Sequence, residues 1–146
     1  MRPARNEASP TVVVAGRSHP LSHARAERAA RLVLEREHRT ADLSITFVGR
    51  DRMRALNAEW KGADRPTDVL AFRLTGPDRR LTGDIYVCPG VAARGAKAHG
   101  ASVREELIRL VVHGTLHVLG YDHADGERRT LGPMWLRQER YVACLG

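Results

Sequence analysis

The run H-G-T-L-H-V-L-G-Y-D-H over residues 113–123 restricts what this chain can fold into more than any other stretch. Side chains four apart on a helix lie on one face a turn apart, so His113 and His117 aim their imidazoles at a common point. A third histidine six residues further on would be carried to the far side if the helix continued. The helix must therefore end between His117 and His123. Gly120 stands where that ending is needed, because glycine most readily takes the left-handed conformation that terminates helices. The chain then turns back and brings His123 to the same point. Three imidazoles with no fourth protein ligand describe a metal site with an open coordination position, the arrangement of catalytic rather than structural zinc. Such an ion lowers the pKa of bound water and polarises a carbonyl or phosphoryl oxygen, so the chemistry expected is metal-assisted hydrolysis. Imidazoles also accept nickel, copper or iron, and spacing does not choose among them. His19, His23, His38 and His99 follow no such spacing and read as surface or helix residues.

The spacing H-x-x-x-H-x-x-G-x-x-H is also that of the metzincin peptidases, where a glutamate after the first histidine serves as general base. Here that residue is Gly114. Peptide hydrolysis has a poor leaving group and relies on a base that takes the water proton and hands it to the amine. A phosphodiester fits better: its charged oxygens bind the metal directly, and they or an RNA 2′-hydroxyl take part in proton transfer. The alternative is a metallopeptidase-like hydrolase whose base has moved elsewhere in the chain.

The histidine run resembles the signature of the YbeY endoribonuclease family. Leu56-Asn57, Trp60-Lys61-Gly62-Ala63-Asp64 and Pro66-Thr67-Asp68-Val69-Leu70-Ala71-Phe72 are similar to that family's L-N-x-x-(Y/W)-R-G-x-D-x-P-T-D-V-L-S-F segment. Gly83-Asp84-Ile85-Tyr86-Val87-Cys88 is similar to its G-D-I strand, and the matches run in order from about residue 42 to residue 123. The resemblance implies a metal-dependent, single-strand-preferring endoribonuclease of 16S ribosomal RNA 3′-end maturation and ribosome quality control. It implies single-stranded RNA, ribosomal RNA precursors and the ribosome as partners. It also implies one Zn2+ per chain, or another divalent metal, on His113, His117 and His123. Two departures stand out. Lys61 replaces the usual arginine, a basic residue by the metal, and keeps its charge without the planar fork that grips phosphate oxygens. Lys61 is thus the candidate catalytic residue, steadying the phosphate while a metal-bound water or the 2′-hydroxyl attacks. The second departure is Gly132-Pro133, which interrupts the C-terminal helix; a helix with Met134, Leu136, Tyr141 and Val142 starts afresh at Pro133.

The rest of the chain reads as one domain over residues 10–146, after a disordered N-terminus over residues 1–9. Thr11 to Ala15 is a short β-branched run, and Leu21 to Glu37 a helix with an apolar stripe through Leu32 and Val33. Leu43, Ile45 and Phe47 alternate with polar residues as in a half-buried strand. Asp51 to Trp60 and Val91 to His99 read as helices, and Val69 to Phe72 and Asp84 to Cys88 as strands. Ser102 caps the helix carrying His113 and His117, with Glu105 completing a capping box, and Leu107, Leu110, Val111 and Leu116 make that helix central. The expected class is α+β: a small mixed sheet covered by helices, the central helix bearing two metal-binding histidines in zincin-like fashion. Cys88 and Cys144 lack metal-ligand spacing, and Cys88 reads as a small core residue. With no apolar run long enough to span a bilayer and no apolar signal core at Met1-Arg2-Pro3, the protein is expected in the cytoplasm.

The net charge of +7 comes almost wholly from arginine, since Lys61 and Lys97 are the only lysines among 24 basic residues. A GC-rich coding sequence also favours arginine, yet the charge attracts a polyanion whatever its origin. Arg50, Arg52, Arg54, Arg73, Arg79 and Arg80 are candidate phosphate contacts. Aromatic residues are 5% of the chain, so phosphate and metal rather than base stacking are expected to dominate affinity. Asp68, Asp84 and Asp122 are candidate partners for the outward N–H groups of the ligating histidines. A non-enzymatic alternative is a ribosome assembly factor whose metal is structural.

Overall fold

The computed structural model describes residues 10–76, 78–121 and 132–146. The elements run β1 (Val12–Gly16), α1 (His23–Arg36), β2 (Asp42–Phe47), α2 (Arg50–Lys61), β3 (Val69–Thr75), β4 (Leu81–Val87), α3 (Pro89–His99), α4 (Val103–Val118) and α5 (Pro133–Leu145). Residues 1–9 lie outside the described residues. The four strands form one sheet in the order β1-β2-β4-β3, with β1, β2 and β4 mutually parallel and β3 antiparallel to β4. Parallel neighbours need a crossover, and α1 supplies it between β1 and β2. The sheet is therefore mixed, as expected, but helices and strands alternate along the chain. This makes the class a small α/β domain rather than α+β.

Alternation sorts the strand residues onto two faces. Leu43, Ile45 and Phe47 of β2 are buried, as are Gly83, Ile85 and Val87 of β4, and they join α1, α4 and α5 in the main core. The opposite face carries Leu70, Phe72 and Tyr86, which pack with Met53 and Leu56 of α2 and with Cys88 in a smaller cluster. Cys88 is fully buried with a free thiol, the small core residue expected. The buried stripe of α1 is Ala26, Ala29, Ala30, Val33 and Leu34, whereas Leu32 is half-exposed. Hydropathy drew attention to the larger side chains; alanines on the inner face are what allow α1 to lie close to its neighbours.

Helix α4 is the centre of the molecule, with eleven of its sixteen residues buried. It packs on α1, α3, α5, β3 and β4. Ser102 caps it by accepting from the Glu105 N–H at 3.1 Å, while the Glu105 carboxylate is engaged by Arg109 at 3.0 Å. Its approach to the sheet depends on two glycines. A Cβ at Gly114 would stand 2.7 Å from Ile85 Cγ2, and one at Gly83 would stand 2.5 Å from a Val118 methyl. These contacts set α4 antiparallel to β4, with Gly114 over Ile85 and Val118 over Gly83.

At the far end of the sheet, Arg80 grips both oxygens of Asp42, which also accepts from the backbone N–H and hydroxyl of Thr11. The Arg80 bonds outweigh burial and, with Thr11, lower the Asp42 carboxyl to about 2 from 3.8. This pulls together the starts of β1, β2 and β4.

Gly114→Ala gains up to about 1 kcal/mol of helix propensity but forces a fully buried Ile85 to move, which costs about 1–3 kcal/mol. The urea midpoint should therefore fall, and Ile85→Ala combined with Gly114→Ala should be less destabilised than the two single changes added together. Because the folded-state pKa of Asp42 lies below its unfolded value, its contribution is complete above the ordinary carboxylate value and is lost as pH falls between about 4 and 2. Asp42→Asn should be less stable than the parent at pH 6, with a smaller further loss across that acid window in urea titrations.

Candidate functional site

His113 and His117 stand one turn apart on α4, both half-buried. The helix ends where the histidine spacing requires. Leu119 is still right-handed, Gly120 takes φ +108°, and the Gly120 N–H donates to His117 O at 3.0 Å. The Tyr121 N–H donates back to Leu116 O at 3.1 Å. These two bonds form a Schellman motif, which satisfies carbonyls that a helix end would otherwise leave without donors.

The chain leaving this turn is tied down at once. Tyr121 Oη donates to Glu37 Oε1 at 2.7 Å, and Glu37 also accepts from Tyr141 Oη and from Arg137 Nη1 at 2.9 Å. Burial raises the Glu37 carboxyl, but the donors Tyr141, Tyr121 and Arg137 outweigh it and leave it below its ordinary value. The Arg137 guanidinium also lies 5.0 Å from the centroid of the Tyr121 ring. Asp122 and His123 lie outside the described residues. Among the described residues, no three His, Cys, Asp or Glu side chains come together as a metal group.

The protonation of His113 follows from its neighbours. His113 Nδ1 lies 2.8 Å from Gln138 Oε1, and Gln138 Nε2 donates to Glu139 Oε2 at 3.0 Å. An ionised carboxylate only accepts, so the amide must turn its NH2 to Glu139 and its oxygen to His113. Burial raises the Glu139 carboxyl, but bonds from Arg109 and Gln138 outweigh that and hold it below its ordinary value. His113 Nδ1 is therefore the donor, and Nε2 is the ring nitrogen with the lone pair, the form a metal ligand needs. The His113 ring thus presents the nitrogen that an ion could take.

Arg109 holds this chain from behind. It donates to both oxygens of Glu139 at 2.8 and 2.9 Å, to Glu106 at 2.9 Å and to Glu105 at 3.0 Å. The Glu139 bond leads in raising the Arg109 guanidinium further above its ordinary value, against its burial. Glu106 in turn lies 3.2 Å from His99 Nδ1 on α3. One buried arginine thereby links three helices behind the His113 ring.

Of the aspartates expected behind the histidines, Asp122 lies outside the described residues, and the position behind His113 is taken by Gln138 instead. Asp84 alternates with Gly83 and Ile85, which face α4, so its side chain points to the opposite side of the sheet. Asp68 is engaged by Thr67 at 3.5 Å, and Gln138 takes the place behind His113. A signal for Gln138 was present in the sequence: with Met134, Tyr141 and Val142 it completes an i, i+4, i+7, i+8 stripe, and all four are buried. A glutamine in an apolar stripe needs a partner inside. Lys61 lies at the C-terminal end of α2, exposed, with Nζ 5.9 Å from the Phe72 ring centroid. Gly114 gains a reading independent of substrate, because a side chain there would collide with Ile85. Its lack of a carboxylate thus has a packing cause, and no longer separates phosphodiester from peptide chemistry.

A family model described as Endoribonuclease YbeY matches residues 16–146. A protein of Salinispora tropica named Endoribonuclease YbeY is 43% identical over 117 residues, covering 70% of this chain and 73% of its own length. A Sulfurihydrogenibium protein of the same name is 45% identical over 89 residues, and the chain spans 59% of that relative's length. The solution structure of a Thermotoga maritima protein superposes with a TM-score of 0.65 at 28% identity, covering 92% of this chain and 89% of that one.

Replacing Gln138 by leucine, which is of similar size but lacks the acceptor, should weaken zinc affinity about 10- to 100-fold in a chelator competition titration. Unchanged affinity would remove Gln138 from the site.

Proposed function

This chain belongs to the Endoribonuclease YbeY family, and from that premise we propose that it is a metal-dependent endoribonuclease cleaving single-stranded RNA. Its substrate class is precursor ribosomal RNA, including the 3′ end of 16S ribosomal RNA, its partner is the ribosome, and its place is the cytoplasm. The observation that carries the reading is the family match over residues 16–146. No described helix is long and apolar enough to cross a membrane. A net charge of +7 suits a polyanionic substrate and makes binding weaken with added salt.

His113 through Nε2, His117 and His123 are the residues that would hold the ion, most simply zinc, with His113 and His117 on α4 in zincin-like fashion. When bound, the ion supplies Lewis acidity and positive charge at the scissile phosphate. The protein's own contribution is orientation. Gln138 fixes the His113 tautomer, the Schellman turn at Gly120 redirects the chain after His117, and Glu37 pins Tyr121 two residues before His123. Lys61 is assigned to a substrate phosphate, as a compact charge without arginine's two-pronged geometry.

His117→Ala should lose bound metal and RNA cleavage together, read by metal analysis of the purified protein and by a single-stranded RNA cleavage assay. Full metal content with full cleavage would sink the mechanism. An unstructured polypeptide incubated in parallel should stay intact; its cleavage without that of RNA would return the chain to the peptidase reading.

A further inference from the structure

Three of the seven aromatic residues, Trp60, Phe72 and Tyr86, form a row on the sheet face opposite α4. Trp60 and Phe72 have ring centroids 5.6 Å apart, and Phe72 and Tyr86 6.2 Å apart. Phe72 and Tyr86 are half-buried against the α2 cluster, but Trp60 is 59% exposed, and Leu74 beside them on β3 is 51% exposed. An exposed tryptophan at the end of such a row, with the Lys61 ammonium set over the middle ring, combines a π surface with a cation. That combination recognises an unpaired base together with its phosphate.

Across the same strand lies a second cation. Successive strand residues point to opposite faces, so Arg73 emerges on the α4 side directly after Phe72. Its guanidinium lies against Gly120, where a Cβ would stand 2.9 Å from Nη1. Gly120 is the left-handed residue of the turn that ends α4, three positions past His117. Arg73 therefore sits beside that turn, at the C-terminal end of the helix that carries the histidines. Other arginines once candidates for phosphate are occupied: Arg50 donates to Gly90 O, Arg54 is paired in two-pronged fashion with Asp64, and Arg80 with Asp42. Among the described residues Arg73 has no carboxylate partner. β3 is an edge strand, so only its own thickness separates Phe72 on one side from Arg73 on the other.

We propose that single-stranded RNA crosses the outer edge of β3, stacking a base on the exposed Trp60 and setting phosphates on Lys61 and Arg73 as it reaches the histidines of α4. This rests on the endoribonuclease reading and gives it a substrate track. Aromatic stacking tolerates any base, so the track selects for unpaired strand rather than for sequence. A duplex, whose bases are already stacked, cannot use the Trp60 surface.

The test is binding of a fluorescently labelled 2′-O-methyl oligoribonucleotide, single-stranded and resistant to cleavage, to the full chain loaded with zinc. Trp60→Ala should weaken binding about 5- to 100-fold with the salt dependence unchanged, as expected for the loss of one stacked base. Trp60→Tyr should restore most of the affinity, which separates stacking from any general damage to α2. Arg73→Gln should weaken binding and also lower the slope of log affinity against log salt by about 0.7, as expected for one phosphate contact to a single strand. Wild-type affinity in Trp60→Ala, or an unchanged salt slope in Arg73→Gln, would overturn the track while leaving the endoribonuclease reading in place. Failure of the parent protein to bind the oligonucleotide at all would count against both.

Discussion

The structure depends on one close approach, that of α4 to β4. Two glycines make it possible, Gly114 on the helix beneath Ile85 and Gly83 on the strand beneath Val118. With no Cβ at either point, the helix sinks to the depth at which Leu107, Val111 and Leu116 are fully buried. A helix buried to this extent has few degrees of freedom left. His113 and His117 therefore sit on a rigid element rather than on a loop, which is what a preorganised ligand pair requires.

The depth of α4 also creates an electrostatic demand. Glu106 and Arg109 are carried into the interior with the helix and are tolerated because Arg109 meets three carboxylates, from Glu105, Glu106 and Glu139. Buried charge of this kind adds little to net stability compared with an apolar replacement, but breaking it is costly because a charge is left without a partner. Here it has a directional consequence. Glu139, kept ionised by Arg109, orients the Gln138 amide, and the amide orients His113. Packing of α4 and α5 is thereby translated into the protonation state of one ring nitrogen.

Much of this was legible along the chain. The strands came from period-two alternation at Leu43, Ile45 and Phe47, the cap from Ser102, the helix end from Gly120 and the restart of α5 from Pro133; each reports a local backbone requirement. The inner stripe of α1 was less legible, because alanine carries little hydropathy even where its small size decides the packing. Gly114 says less about substrate than its missing carboxylate suggests, because Ile85, distant in sequence, already excludes any side chain there. The row formed by Trp60, Phe72 and Tyr86 was hidden for a similar reason: an aromatic content of 5% says nothing about three rings converging from α2, β3 and β4.

By itself the sequence determined the local geometry of the histidine stripe, because i, i+4 spacing and a left-handed glycine are properties of a few consecutive residues. It also carried the family, since matching motifs need no coordinates. Only the tertiary structure decided what stands behind His113. Gln138 lies twenty-five residues along the chain on another helix, and strand alternation turns Asp84, a comparable distance away in the other direction, to the far face of the sheet. The structure likewise decided that Phe72 and Arg73, neighbours in sequence, serve opposite sides of one edge strand. Which residues meet across the core is set by packing between elements, and no local pattern encodes it.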